Sequence, residues 1–411
     1  MLQLPQSDDK NYYIYNQYGS NAMVPVGPVG IIPLLGSAEF AARVNDNLLC
    51  RRTEYLEQRP EVGNLFPGFI RHDYRIEVNN FRFSSGEGKA VISSTVRGHD
   101  IFIISDVVNH ACTYPMYGYI NHMSPDDHYQ DLKRVILAIS GKARRINVIM
   151  PFLYESRQHK RNARESLDCA HMLEELYSLG VANIITFDAH DERVANAIPT
   201  SGFESIPATY QIIKALISST PDLKINEGRL MVVSPDEGGI SRAMYYASML
   251  GVSLGTFYKR RDYTRVINGR NPIIAHEFLG DLVDGLDILI VDDMISSGES
   301  MLDLARELKE RRANRIFAAV TFGLFTDGTV NFQKAWQEGL IDRVFATNLI
   351  YRQPELLTAP WFVDVNMAKF VALLIDAINH DASLSNLIDP TEKIRKLLEN
   401  FRHGILPTPA R

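Results

Sequence analysis

The stretch ILIVDDMISSGES (288–300) sets an apolar run against two adjacent carboxylates, Asp292 and Asp293, and follows them with Ser296, Ser297, Gly298 and Ser300. Two acids at a strand end are acceptors for a vicinal diol or for a metal's water shell. Hydroxyls and N–H groups at the start of the next helix attract an anion, because unpaired N–H groups and the helix dipole point there. The same residues also fit a plain helix start, with Ser296 or Ser297 as the cap and Glu299 and Glu307 as surface acids.

Other polar strand endings share the theme. In SPDEGG (234–239), Asp236 and Glu237 precede Gly238 and Gly239. A glycine pair lets N–H groups approach phosphate oxygens, and the acids suit a divalent cation or hydroxyls, although the same letters describe a tight turn. FDAHDERV (187–194) offers Asp188, His190 and Asp191, an acid-rich set closer to Mg²⁺ with phosphate than to zinc. Two basic runs follow strands. ESRQHKRNAR (155–164) carries Arg157, His159, Lys160, Arg161 and Arg164, and YKRRDYTR (258–265) carries Lys259, Arg260, Arg261 and Arg265. Charge runs usually mark solvated faces. Beside two phosphate-type loops in an acidic protein they read better as polyphosphate neutralisers, the second on a long loop able to close over a site. Together these residues indicate a Mg²⁺-dependent protein that binds a phosphorylated sugar and a polyphosphate. They do not name the reaction.

The elements that must hold these residues are short apolar runs at 100–106, 146–152, 183–190, 229–239, 286–293, 315–325 and 343–350, each the length of a strand buried on both faces. Helical patterns lie between them. One places Leu167, Ala170, Leu173 and Leu176 on a face and stops at Gly180; another, 300–312, places Met301, Leu304, Ala305 and Leu308. Alternation of this kind predicts an α/β protein of two tandem domains, each a mostly parallel sheet flanked by helices. The expected division is an N-terminal extension over 1–29, domains over 30–200 and 201–389 that meet near the Pro-, Ser- and Gly-rich IPTSGFESIPA (198–208), and a C-terminal helix and tail over 390–411 with Ile394, Leu397, Leu398 and Phe401 on one face. In open sheets of this type ligands bind at the carboxyl ends of the strands, which gathers the polar endings into one region.

A chain of 411 residues has room for two cores. Its net charge of -6 argues against a general nucleic-acid binder. No run approaches the roughly 18 apolar residues of a membrane helix, and Asp8, Asp9 and Lys10 stand where a signal peptide would begin. Cys50, Cys112 and Cys169 are widely spaced and read as reduced thiols of a cytoplasmic protein. The tyrosines at 12, 13, 15 and 18 suit packing on a neighbouring surface or subunit.

Taken in order, RQHKR, FDAH, SPDEGG, YKRR and VDDMISSGES resemble ribose-phosphate pyrophosphokinase, from about Gly30 to about Leu387. The resemblance implies two phosphoribosyltransferase-like domains, assembly into a homo-oligomer, usually a hexamer, and transfer of the diphosphoryl group of MgATP to the 1-hydroxyl of ribose 5-phosphate. It implies ATP contacts at Arg157 and Gln158, with Phe83 and Glu87 of FSSGE reaching the adenine from a neighbouring subunit. His190 and Asp236 would be the Mg²⁺ partners and Gly238 and Gly239 the diphosphate cradle. Asp292 and Asp293 would hold the ribose 2- and 3-hydroxyls, Ser296, Ser297, Gly298 and Ser300 would grip the 5-phosphate, and Lys259 and Arg261 would act with His190 in catalysis. The family's 5-phosphate loop typically reads Asp-Thr-x-Gly-Thr, whereas here it reads Ser-Ser-Gly-Glu-Ser, with an acid at Glu299. Ser85 replaces a usual acid, RQHKR replaces RQDRK, and 106–130 has no simple family counterpart. A silent regulatory paralogue and a phosphoribosyltransferase are the competing readings. The basic loop and the second similar domain speak against the transferase.

Overall fold

The computed structural model describes residues 24–407 except 59, 61–62, 64–65, 67, 162–163 and 262–272; for 259–261 and 273–276 it describes the backbone only. The strands, in chain order, are β1 (Val29–Pro33), β2 (Val78–Arg82), β3 (Gly88–Ile92), β4 (Asp100–Ile104), β5 (Thr113–Met116), β6 (Tyr119–His122), β7 (Arg145–Ile149), β8 (Asn183–Phe187), β9 (Gly202–Ile206), β10 (Leu230–Ser234), β11 (Ser253–Arg261), β12 (Ile273–Leu279), β13 (Asp287–Ile295), β14 (Ile316–Gly323), β15 (Arg343–Thr347) and β16 (Phe362–Val365). Two compact units divide the chain. The first runs to Pro207 and also takes Leu349–Tyr351 and Met367–Asp389; the second is Ala208–Asn348, Arg352–Asn366 and Pro390–Arg411.

Among the described residues, the first unit has a five-stranded sheet in the order β1-β4-β7-β8-β9, every pair of it parallel. Its interior strand β4 is buried throughout, with the apolar run 101–104 inside and Asp100 paired with Arg145. Two antiparallel hairpins, β2–β3 and β5–β6, stand apart from this sheet. The helix Ala368–Asn379 is buried at every position except Lys369. It carries polar groups inward: Asp376 accepts from Arg51 Nε at 2.7 Å and Arg52 Nε at 3.0 Å, and Asn379 donates to Asp100 at 3.0 Å.

The second unit's sheet runs β12-β11-β10-β13-β14-β15-β16, parallel except for the β11–β12 edge pair. The chain leaves β10 for β11 on one side and returns with β13 on the other. Strand order therefore reverses between β10 and β13, and this is the crevice where α/β sheets bind ligands. The helix Glu299–Glu310 buries Met301, Leu302, Leu304, Ala305 and Leu308 against this sheet's core, including all four positions expected from the sequence. The helix Asp168–Ser178 instead buries Cys169, Met172, Leu173 and Leu176, so its inward face is rotated from the Leu167–Ala170 stripe. Leu167 stands at its cap, one residue outside the helical repeat. Both sheets with their flanking helices match the expected fold class. No helix among the described residues is long and apolar enough to cross a membrane.

Candidate active site

The ladder between β10 and β13 stops at Val233↔Ile290, while β13 stays paired with β14 as far as Ile295↔Gly323. Past Ile290, β13 therefore leaves its β10-side edge free of that ladder, and the SPDEGG turn follows β10 at the same end. Asp292 and Asp293 lie within the last turns of pleat of β13, two residues deeper in the strand than the run 286–293 suggests. Asp292 is half-buried and Asp293 buried. The Asp293 N–H donates to Asp292 Oδ1 at 2.9 Å, and the Arg242 guanidinium stands 3.8 Å from the same carboxylate. Burial, reinforced by the Asp293 carboxylate, pushes the Asp292 carboxyl up to about 8, with Arg242 opposing the shift.

Beyond β13 the chain turns at Gly298, whose φ of +87° is a left-handed conformation. A Cβ there would lie 2.2 Å from Phe332, a core residue stacked on Trp361 with ring centroids 5.5 Å apart. The turn is thus pinned to the unit's aromatic core. Gly298 itself caps the helix Glu299–Glu310 without a side-chain hydrogen bond, so neither Ser296 nor Ser297 is the cap. Ser297 Oγ accepts from the Glu299 N–H at 3.5 Å. The Ser296 carbonyl accepts from the Thr326 N–H at 3.0 Å, which braces the loop from behind. Ser296 and Ser297 are half-buried; Glu299 and Ser300 are exposed. Hydroxyls and helix-start N–H groups consequently face an accessible surface, as an anion requires.

In SPDEGG, Asp236 Oδ1 accepts from the N–H groups of Gly238 (3.0 Å) and Gly239 (3.3 Å). Ser234 Oγ donates to the Asp236 carbonyl at 2.7 Å. A Cβ on Gly239 would come 2.8 Å from Ser234 Oγ and would push aside the hydroxyl that bonds the Asp236 carbonyl. An anion can use these two N–H groups only when the Asp236 carboxylate releases them. Lys259 and Arg261 belong to the last residues of β11, where their backbones pair with His276 and Ile273; their side chains lie outside the described residues.

In the first unit, Asp188 follows β8 with φ +38°, an uncommon conformation for a non-glycine residue, and its N–H donates to the Ile206 carbonyl. The exposed His190 follows, its ring 5.2 Å from that of His159. Asp191 caps the short helix Glu192–Ala197, pairs with Arg193 and stands 3.5 Å from His159 Nε2. The hydrogen bonds from Arg193 hold it down at about 2. Arg157 and Gln158 are exposed on the loop after β7, where the Gln158 N–H donates to the Glu155 carbonyl. Phe83, 56% exposed, and Glu87 close the β2–β3 hairpin. Ser85 Oγ donates to Glu87 Oε2 at 2.8 Å, orienting the carboxylate from the position where an acid is usual.

The donor set fits Mg²⁺ in part. Asp236 supplies a hard carboxylate on a reachable turn, and among the described residues no three His, Cys, Asp or Glu side chains converge into a metal cage. That pattern suits an ion held largely by substrate phosphates and water. Sequence reasoning missed Arg242. Its only signal is its place three residues after Gly239, and its meaning depends on β10 and β13 being neighbours.

Two family models match in succession: the N-terminal domain of ribose phosphate pyrophosphokinase over 33–180 and the phosphoribosyl transferase domain over 200–334. Ribose-phosphate pyrophosphokinase of Vibrio cholerae is 29% identical over 314 residues, spanning 75% of this chain and 90% of that protein. The Buchnera aphidicola protein of the same name is 29% identical over 339 residues, 80% and 98% of the two chains. The crystal structure of phosphoribosylpyrophosphate synthetase from Mycobacterium smegmatis shares the fold, with a TM-score of 0.65 at 20% identity over 86% of this chain and 99% of that one. With the N-terminal and transferase models side by side and relatives matched over nearly their whole length, the chain belongs to the ribose-phosphate pyrophosphokinase family.

Proposed function

We propose that the protein is a ribose-phosphate diphosphokinase that moves the diphosphoryl group of ATP to the 1-hydroxyl of ribose 5-phosphate, releasing AMP and phosphoribosyl diphosphate for nucleotide biosynthesis. The observation that carries this reading is the crevice at the β10–β13 reversal, where paired acids and an uncapped helix start are set on one strand-to-helix turn. A sugar phosphate has the matching shape: Asp292 and Asp293 accept from its 2- and 3-hydroxyls, and the Ser296–Ser300 loop takes its phosphate. That leaves the 1-hydroxyl to attack the β-phosphorus of ATP. The bond from that phosphorus to the bridging oxygen of the α-phosphate breaks, AMP leaves with the electron pair, and the hydroxyl proton is lost.

On this reading Arg157 and Gln158 bind the triphosphate, and Phe83 and Glu87 meet the adenine within a homo-oligomer. His190 of the first unit and Asp236 of the second would each offer a ligand to Mg²⁺, which when bound would neutralise phosphate charge. A cation on the Asp236 carboxylate would leave the Gly238 and Gly239 N–H groups available for the diphosphate. Lys259 and Arg261 meet the charge that develops during transfer, where most of the catalytic effect in phosphoryl transfer lies. The thiols support a cytoplasmic setting: all three are unpaired, and burial raises Cys50 and Cys112 to about 11 and Cys169 to about 12.

The test is AMP formation from ATP and ribose 5-phosphate with Mg²⁺. Folded protein that binds both substrates without turnover would overturn the enzyme reading and leave a regulatory partner. Consumption of phosphoribosyl diphosphate only with a free base would favour a phosphoribosyltransferase. Lys259→Ala should lower kcat by about 10²–10³ while leaving ribose 5-phosphate binding within a factor of about two. Equal loss of both would assign the lysine a structural role.

A further inference from the structure

The β5–β6 hairpin lies in the segment 106–130, which the proposed activity does not use. We infer that this hairpin is a positioning element for the base of the nucleotide, because it buttresses the Phe83–Glu87 turn. This rests on the reading that Phe83 and Glu87 meet the adenine.

The turn is closed by Phe83 N–H to Glu87 carbonyl and Gly86 N–H to Phe83 carbonyl bonds, each 2.8 Å. Such a tip, with Phe83 and Glu87 both exposed, has little of its own to hold it. The second hairpin supplies three supports. The Tyr117 N–H donates to the Ser84 carbonyl at 2.8 Å. Met116 packs so closely on Gly86 that a Cβ there would lie 2.5 Å from its sulfur. Tyr114 lies beneath the Arg82 guanidinium, 4.9 Å from ring centroid to Cζ, while Arg82 forms a two-bond pair with the buried Asp131 at 2.7 and 2.8 Å. Tyr114 is in turn tied by its hydroxyl to Asp127 at 3.2 Å. The hairpin's own turn uses Tyr117 (φ +50°) and Gly118 (φ +80°), the two left-handed residues of a tight two-residue connection. A non-glycine residue held there presents its N–H to the neighbouring turn, at a conformational cost that the contact with Ser84 offsets. The chain thus fixes the backbone on both sides of the adenine-facing side chains and leaves those side chains exposed. Ordering before binding lowers the entropic cost of binding.

The experiment is steady-state kinetics of Met116→Ala and Tyr114→Leu in the full chain, with Met116→Leu as the conservative control. Met116→Ala and Tyr114→Leu should each raise KM for ATP about tenfold, a change worth about 1.4 kcal/mol. KM for ribose 5-phosphate and kcat should stay within about a factor of two, and Met116→Leu should restore KM for ATP. An unchanged KM for ATP in both folded variants overturns the inference, and so does an equal rise in both KM values. If the wild-type chain forms no AMP, the proposed function fails separately. Calorimetric titration with MgATP then replaces KM, and weakened ATP binding in Met116→Ala but not Met116→Leu still supports the buttress.

Discussion

Asp292 concentrates the electrostatics of the site. Its carboxyl titrates near 8 because it is desolvated beside Asp293, with Arg242 only partly offsetting that cost. On the proposed function, a proton below that pH occupies the acceptor offered to the sugar hydroxyls. The kcat/KM for ribose 5-phosphate, which reports the free enzyme, should therefore rise with pH up to about 8 and then level. Asp292→Asn cannot titrate and should lose this limb while binding the sugar more weakly at every pH; an Asn variant that kept the limb would move its origin to another group. For folding the sign is the reverse. The native state keeps a proton that the unfolded chain has already released, so the group's contribution to stability is present at low pH and fades as pH climbs through about 8. Gly298 is the second exacting residue. Gly298→Ala would force a Cβ against Phe332 and into a left-handed backbone, the latter alone costing about 1–2 kcal/mol. The expected result is a raised KM for ribose 5-phosphate with a lowered Tm, read from kinetics and thermal unfolding together.

Elements differ in how far the amino-acid order reveals them. The helix Ala368–Asn379 is held by charge inside the first unit, with Asp376 fully buried between Arg51 and Arg52. Asp376→Ala would remove the carboxylate from two guanidinium groups, Arg52 itself buried, and should cost about 3–5 kcal/mol in chemical denaturation. A loss under about 1 kcal/mol would mean that water or another acid replaces it. Nothing in AKFVALLIDAIN signals that this helix packs with residues more than three hundred positions earlier, because the partners are single polar groups in an apolar surround. The buried strands β4, β10, β13 and β14 were legible from their apolar runs. The hairpins were not, since β2 and β3 alternate half-buried and exposed residues over only five positions. The candidate site could be read as motifs at strand ends, but its geometry could not. Helix capping by serine was the natural reading of ISSGES, and the preference for Gly298 comes from its packing on Phe332, which only the fold supplies.

At the scale of the whole chain, the proposed activity divides the substrates between two units built on separate sheets. On that proposal the sugar phosphate would bind in the second unit, at Asp292–Ser300, and the nucleotide would meet Arg157, Gln158, Phe83 and Glu87 in the first. A ligand that binds only the folded form stabilises what it touches, by about 2.7 kcal/mol at one hundred times its Kd. For amides that exchange through opening of the liganded region, this is close to a hundredfold slowing. Hydrogen exchange in saturating ribose 5-phosphate alone should therefore slow in the peptides over 287–302 and leave those over 78–92 and 153–161 unchanged. A non-hydrolysable ATP analogue with Mg²⁺ should slow 78–92 and 153–161. Protection by ribose 5-phosphate confined to the first unit would contradict the assignment of the crevice between β10 and β13, because a sugar phosphate seated there must quiet the strand that carries Asp292 and Asp293.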